Sequence, residues 1–132
     1  MRLYLDSSAV VKLVQREAES GALRRYLRRH RADDRVTSAL ARTEVVRAVL
    51  PGGAQAVAMA RRQLGLLFQV PLDVEVLDQA AMAAPAMSLR TLDAVHLVSA
   101  QLVGADLRAL VTYDRRMADA AGGIGLPVEA PS

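Results

Sequence analysis

Leu3-Tyr4-Leu5-Asp6-Ser7-Ser8-Ala9 is the stretch on which the reading of this chain turns. A short apolar run that stops at Asp-Ser-Ser is a strand feeding straight into a helix. Asp and Ser side chains accept hydrogen bonds from the backbone N–H groups that a new helix leaves unpaired. The helix continues through Ala9-Val10-Val11-Lys12-Leu13-Val14, with apolar residues at near-helical spacing, and gives way at Ser20-Gly21 to a second, arginine-rich helix. The pattern then repeats. Arg35-Val36-Thr37 reads as a strand, and Ser38 as the N-cap of a helix over 39–50, ended by Pro51-Gly52-Gly53. A long helix is expected over 54–67. Phe68-Gln69-Val70-Pro71 reads as an edge strand, because proline lacks the ladder donor, and Asp73 opens a helix through Ala84 that Pro85 closes. From Leu92 to Val103 only Asp93, His96, Ser99 and Gln101 are polar, the pattern of a helix packed on most sides. A buried strand over 107–112, a short helix from Asp114 and a small strand over 127–129 complete the chain.

Strands alternating with helices imply βαβ crossovers, hence an α/β fold: a central, mainly parallel sheet with helices on both faces. The 132 residues are enough for one core, so a single domain over 1–132 is expected. Hydrophobic residues make up 52% and charged residues 23%, which excludes a disordered chain. Cysteine is absent, which removes disulfide scaffolds, thiolate zinc sites and thiol redox chemistry. Asp6 interrupts the N-terminal apolar run, and later runs are broken by charge well short of about 18 residues, so neither a secretion signal nor a membrane span is expected and the cytoplasm is the expected compartment. Arg and Lys number 17 against 14 for Asp and Glu, for a net charge of +3, which mildly favours an anionic partner. With aromatics at 3%, base-stacking platforms are scarce, and any contact with nucleic acid must rest on charge.

In a parallel sheet, ligands bind beyond the carboxyl ends of the strands, where strand order reverses. Asp6 and Asp114 fall at such ends. Either can be a helix cap, Asp93 can interact with a helix dipole, and Glu44 can form a surface pair with Arg47 three residues on. Taken together they fit these ordinary roles less well. Four carboxylates brought to one edge repel one another unless a cation compensates, and hard divalent ions such as Mg²⁺ prefer oxygen ligands. His30 and His96 make no zinc pattern, and His96 reads as a core or rim histidine.

Leu3 to Ala9, Thr43-Glu44-Val45-Val46-Arg47, Leu92-Asp93-Ala94-Val95-His96-Leu97 and Val111-Thr112-Tyr113-Asp114-Arg115-Arg116-Met117 resemble the successive motifs of the PIN-domain ribonucleases, in order and across almost the whole chain. Within that family the likeness is to VapC-type toxins of bacterial toxin–antitoxin pairs. The resemblance implies a PIN-like α/β/α sandwich and a Mg²⁺- or Mn²⁺-dependent endoribonuclease held inactive by a cognate antitoxin, with a homodimer as its assembly. It also implies that Asp6, Glu44, Asp93 and Asp114 form the acidic set, with Asp6 and Asp93 as direct ligands, Asp114 acting through water and Glu44 placing the nucleophilic water or a second ion. Ser8 and Thr112 are candidates to orient these carboxylates, although capping and strand propensity explain them equally well.

Arg24, Arg25, Arg28 and Arg29 form two adjacent stripes on one helix, either a solvated face or a surface that tracks phosphates, and Arg115 and Arg116 are candidates to hold the scissile strand. Val10, Leu13 and Val14 read as core before they read as a groove for an antitoxin segment. Met59, Met82, Met87 and Met117 read as core filler. The alternative functions are a non-catalytic RNA-binding or adaptor domain that keeps the acids as caps, and an aspartyl-phosphate phosphotransferase. The latter is disfavoured because Ser8 stands where such enzymes usually carry a second Asp.

Overall fold

A computed structural model describes residues 1–132. Five strands form one sheet in the order β3-β2-β1-β4-β5: β1 (Arg2–Leu5), β2 (Asp34–Ser38), β3 (Phe68–Val70), β4 (Leu107–Val111) and β5 (Val128–Glu129). Every pairing is parallel, so the sheet is wholly rather than mainly parallel. The helices are α1 (Ser7–Val14), α2 (Ser20–Arg29), α3 (Ala41–Val49), α4 (Ala54–Gly65), α5 (Val74–Ala81), α6 (Thr91–Gln101) and α7 (Arg115–Gly123). No helix is long and apolar enough to cross a membrane.

β1 is the central strand and is buried on both faces. Leu3 and Leu5 join a cluster with Leu23, Val45 and Leu64 from α2, α3 and α4, while Tyr4 points the other way into a cluster with Leu97 of α6 and Met117 of α7. This alternation follows from the two-residue period of a strand, and burial on both sides is why the segment reads as an unbroken apolar run. Complete burial of a large apolar side chain contributes about 1.5–3 kcal/mol, comparable to or above the roughly 1–2 kcal/mol cost of ordering one residue's backbone. Helices α1 to α4 cover one face. On the other, α6 and α7 pack on the sheet and α5 packs on α6. Strand order runs outward from β1 to β3 and then resumes on the other side of β1 with β4, so the reversal falls between β1 and β4.

Three local expectations need correction. Ser38 does not cap α3: it is still paired with Val70 in the sheet, the Ala39 N–H donates to the Val70 carbonyl at 2.9 Å, and the Ser38 hydroxyl accepts from the Leu40 N–H at 3.1 Å within the turn. Helix α3 therefore starts at Ala41. Helix α5 stops at Ala81, short of Ala84, because Pro85 disfavours helical backbone at the residue before it; Ala84 instead takes φ = 44°. Of the four methionines expected in the core only Met117 is buried. Met82 is left outside by the early end of α5, Met59 lies one position off the Ala60–Leu64 stripe of α4, and Met87 is exposed. Val10 and Leu13 are core residues.

Candidate active site

Asp6 follows β1 and caps α1. Its Oδ1 accepts from the Ala9 N–H at 3.1 Å and from the Ser8 hydroxyl at 2.6 Å, and its Oδ2 accepts from the Thr112 hydroxyl. Ser8 and Thr112 each accept in turn, from the N–H groups of Tyr113 and Asp114 at 3.0 and 3.1 Å. The carboxyl ends of β1 and β4 are thereby tied into one hydrogen-bonded knot with Asp6 at its centre. Burial raises the pKa of Asp6, and the bonds from Ser8, Thr112 and Ala9 only partly offset that rise.

Asp114 caps α7, its Oδ1 accepting from the Arg116 N–H at 2.9 Å, and Asp93 sits in the first turn of α6. The Asp93 Oδ2 atom is shielded from solvent and has no hydrogen-bond partner. Its nearest cation is Arg90, whose Nε lies 3.4 Å away and whose Nη2 lies 3.8 Å from Asp114 Oδ2. The Arg90 side chain is 70% exposed, so solvent screens this contact and it compensates the two acids weakly. Burial, followed by repulsion from Asp114, raises the pKa of Asp93.

Glu44 does not pair with Arg47 at the surface. Its Oε1 accepts from the Ser7 hydroxyl at 2.7 Å and lies 2.6 Å from His96 Nε2, while His96 Nδ1 lies 2.8 Å from the Tyr4 hydroxyl. Burial pushes the pKa of Glu44 up, but the bonds from His96 and Ser7 outweigh it, and the net direction is down. Glu44, Ser7 and Ser8 line a groove of about 440 Å³ together with Lys12 and Tyr113.

The structure thus brings Asp6, Glu44, Asp93 and Asp114 to the carboxyl edge of the sheet at the reversal of strand order. It does not bring the arginines of α2 to them. Arg24 and Arg28 line one groove with Arg35, and Arg25 and Arg29 line another with Glu129, and neither groove includes any of the four acids. Arg115 and Arg116 are exposed in the first turn of α7, beside Asp114. Arg90, Ser7 and Tyr4 are not among the residues expected at the site from sequence, and His96 reads there as a core or rim histidine. His96 is buried, yet it contacts Glu44. Arg90 carried a signal, lying three residues before Asp93; a tyrosine inside an apolar strand carried none.

No three His, Asp or Glu side chains converge as a ready-made ion cage. The donor set nonetheless fits a hard divalent ion. Mg²⁺ and Mn²⁺ suit oxygen ligands, and Mg²⁺ keeps several waters and needs only one or two carboxylates; the buried oxygen of Asp93, which accepts no hydrogen bond, is the kind of atom such an ion satisfies.

Residues 3–123 match the PIN domain family. The chain is 56% identical to ribonuclease VapC46 of Mycobacterium tuberculosis over 131 residues, 98% of each protein. It is 43% identical to ribonuclease VapC35 of the same species, covering 98% of this chain and 96% of the relative. Among solved structures, M. tuberculosis VapC20, described as a sarcin–ricin loop cleaving toxin, superposes with a TM-score of 0.76 at 18% identity, covering 98% of this chain and 99% of the other. FitAcB of Neisseria gonorrhoeae gives 0.72 at 17%, covering 98% and 97%. Those two likenesses speak for the fold, and their helix-flanked parallel sheet is the one described above. With the family match spanning nearly all of the sequence and the relatives matching end to end, the chain belongs to the PIN-domain family, in its VapC branch.

Proposed function

We propose that this protein is an endoribonuclease, dependent on Mg²⁺ or Mn²⁺, that hydrolyses RNA phosphodiester bonds in the cytoplasm and is neutralised by a cognate antitoxin. The observation that carries the reading is the full-length likeness to ribonuclease VapC46. The metal requirement rests on Asp93, whose buried oxygen accepts no hydrogen bond and has only the exposed Arg90 beside it.

In this reading Asp6 and Asp93 would hold the ion directly, and Asp114 would act on it through water. When bound, the ion polarises the phosphoryl oxygen, lowers the pKa of a neighbouring water and offsets charge on the leaving oxygen. The protein's part is to place groups. Ser8 and Thr112 hold Asp6 in one orientation. Glu44 uses Oε1 for Ser7 and His96, which leaves Oε2 to accept from the attacking water or to meet a second ion. Water adds to phosphorus, the bond to the leaving ribose oxygen breaks, and a proton from water restores that hydroxyl. Arg115 and Arg116 hold the scissile strand near Asp114, while Arg24, Arg25, Arg28 and Arg29 track phosphates farther off. A homodimer is proposed as the assembly, to be checked by light scattering on the purified protein.

Purified, antitoxin-free protein is expected to cleave RNA with Mg²⁺ or Mn²⁺ and to stop when EDTA is added. Asp6→Asn and Asp93→Asn variants that keep their circular dichroism should fall to assay background. Cleavage that persists in EDTA overturns the metal-dependent mechanism.

A further inference from the structure

We propose that Tyr4 and His96 form a positioning pair that holds the Glu44 carboxylate in its working orientation. The inference rests on the reading that Glu44 serves the hydrolytic site, and goes beyond it by assigning a role to two residues that the acidic set leaves out.

Tyr4 is fully buried on the central strand and His96 is 3% exposed on α6. Polar atoms so placed need partners, and each has one: the Tyr4 hydroxyl meets Nδ1 at 2.8 Å, and Nε2 meets Glu44 Oε1 at 2.6 Å and Ser7 Oγ at 3.2 Å. Stability alone does not call for this chain of polar groups. Replacing both members of a buried hydrogen-bonded pair by apolar groups of similar shape can be nearly neutral, and the surrounding cluster of Leu97, Leu110 and Met117 would accept them. What the chain achieves is a rigid connection. It links α3 in one layer, β1 in the sheet and α6 in the other layer, and it ends on a carboxylate that lines a groove.

The chemistry sets the proton positions. Glu44 as a carboxylate offers only lone pairs, so Nε2 carries a proton, and its N–H is shared between Glu44 and Ser7. Nδ1 is then the acceptor for the Tyr4 phenol, which burial keeps protonated. The imidazole works as a strut between Tyr4 and Glu44, and no proton transfer through it is required. Anchoring Oε1 from two directions confines a side chain with three rotatable bonds and leaves Oε2 in a defined place.

The test uses His96→Leu, His96→Gln and Tyr4→Phe in the whole chain, each checked for folding by circular dichroism. Loss of a group that orients a ligand or catalytic side chain typically lowers activity about 10–100-fold, so His96→Leu should lower kcat by roughly that factor with KM little changed. His96→Gln, whose amide N–H can reach Glu44, should recover part of the loss. Tyr4→Phe should fall in the same direction, but less. Long-range ¹⁵N–¹H spectra should show the wild-type His96 as the Nε2–H tautomer and the Tyr4→Phe protein as a mixture; the only other histidine, His30, makes assignment direct. Wild-type kcat in folded His96→Leu and Tyr4→Phe, or a proton on Nδ1 alone in the wild type, overturns the proposal. A wild-type protein that never cleaves RNA with either metal sinks the hydrolytic reading and this one with it, whereas an active wild type with indifferent variants sinks only this one.

Discussion

At Asp93 a carboxylate oxygen is hidden from water, accepts no hydrogen bond and stands close to a second acid, with one exposed arginine as its partial counterweight. Its raised pKa makes ionisation unfavourable to the metal-free fold. Above the folded pKa the charge therefore subtracts from stability. As pH falls through that pKa towards the ordinary Asp value of about 3.9, the penalty is relieved. Asp93→Asn is accordingly expected to raise the melting temperature of chelated protein at neutral pH, with the gap to wild type closing in acid. Differential scanning fluorimetry would read this directly, and Mn²⁺ should stabilise the wild type much more than the variant. A variant that melts below the wild type in EDTA would show that Asp93 is already satisfied without an ion. Arg90 belongs to the same balance, as a weak internal cation that the acids use when nothing stronger is bound.

Capping at the level of elements separates acids that build helices from acids that face the site. Asp73 caps α5, its Oδ1 accepting from the Val76 N–H at 2.9 Å; it follows β3, the edge strand two places from β1, and α5 packs on α6. Asp73→Ala should cost about 0.5–2 kcal/mol in chemical denaturation and leave RNA cleavage unchanged. Asp6 and Asp114 are caps as well, so the loss expected of Asp6→Asn has to be read against this control. Element boundaries obey the same local chemistry except where the sheet intervenes. Ser38 has the side chain of an N-cap, but its pairing with Val70 keeps the chain extended for longer than its own preference would. Asp6 stands one residue past β1: its N–H still reaches the Val111 carbonyl at 3.2 Å, while its side chain caps α1.

On the scale of the whole molecule, the edge of the sheet opposite the acids is held by a second charged cluster. Asp33, just before β2, accepts from the Arg108 guanidinium of β4 and lies 3.5 Å from the Met1 ammonium, so one side chain ties the amino-terminal ends of three neighbouring strands. The Arg108 bond outweighs burial and lowers the pKa of Asp33. A depressed folded pKa gives stability that is present above the unfolded value, near 3.9, and is lost as pH falls through the folded one. Asp33→Asn should therefore lower the melting temperature at neutral pH, with a difference that shrinks below about pH 4 and no effect on cleavage, since Asp33 is remote from the acids. A thermal scan series across pH checks it. The sequence by itself determined the alternation of strands and helices and the positions of Asp6 and Asp114 at strand ends, because an apolar run, a cap and a breaker act within a few residues of one another. Only the tertiary structure decided which polar groups meet: Glu44 and His96 are 52 residues apart, Tyr4 and His96 are 92, and their bonds exist because two helical layers close on one strand. The same packing turned the arginines of α2 towards grooves that hold none of the acids, which their charge alone left undecided.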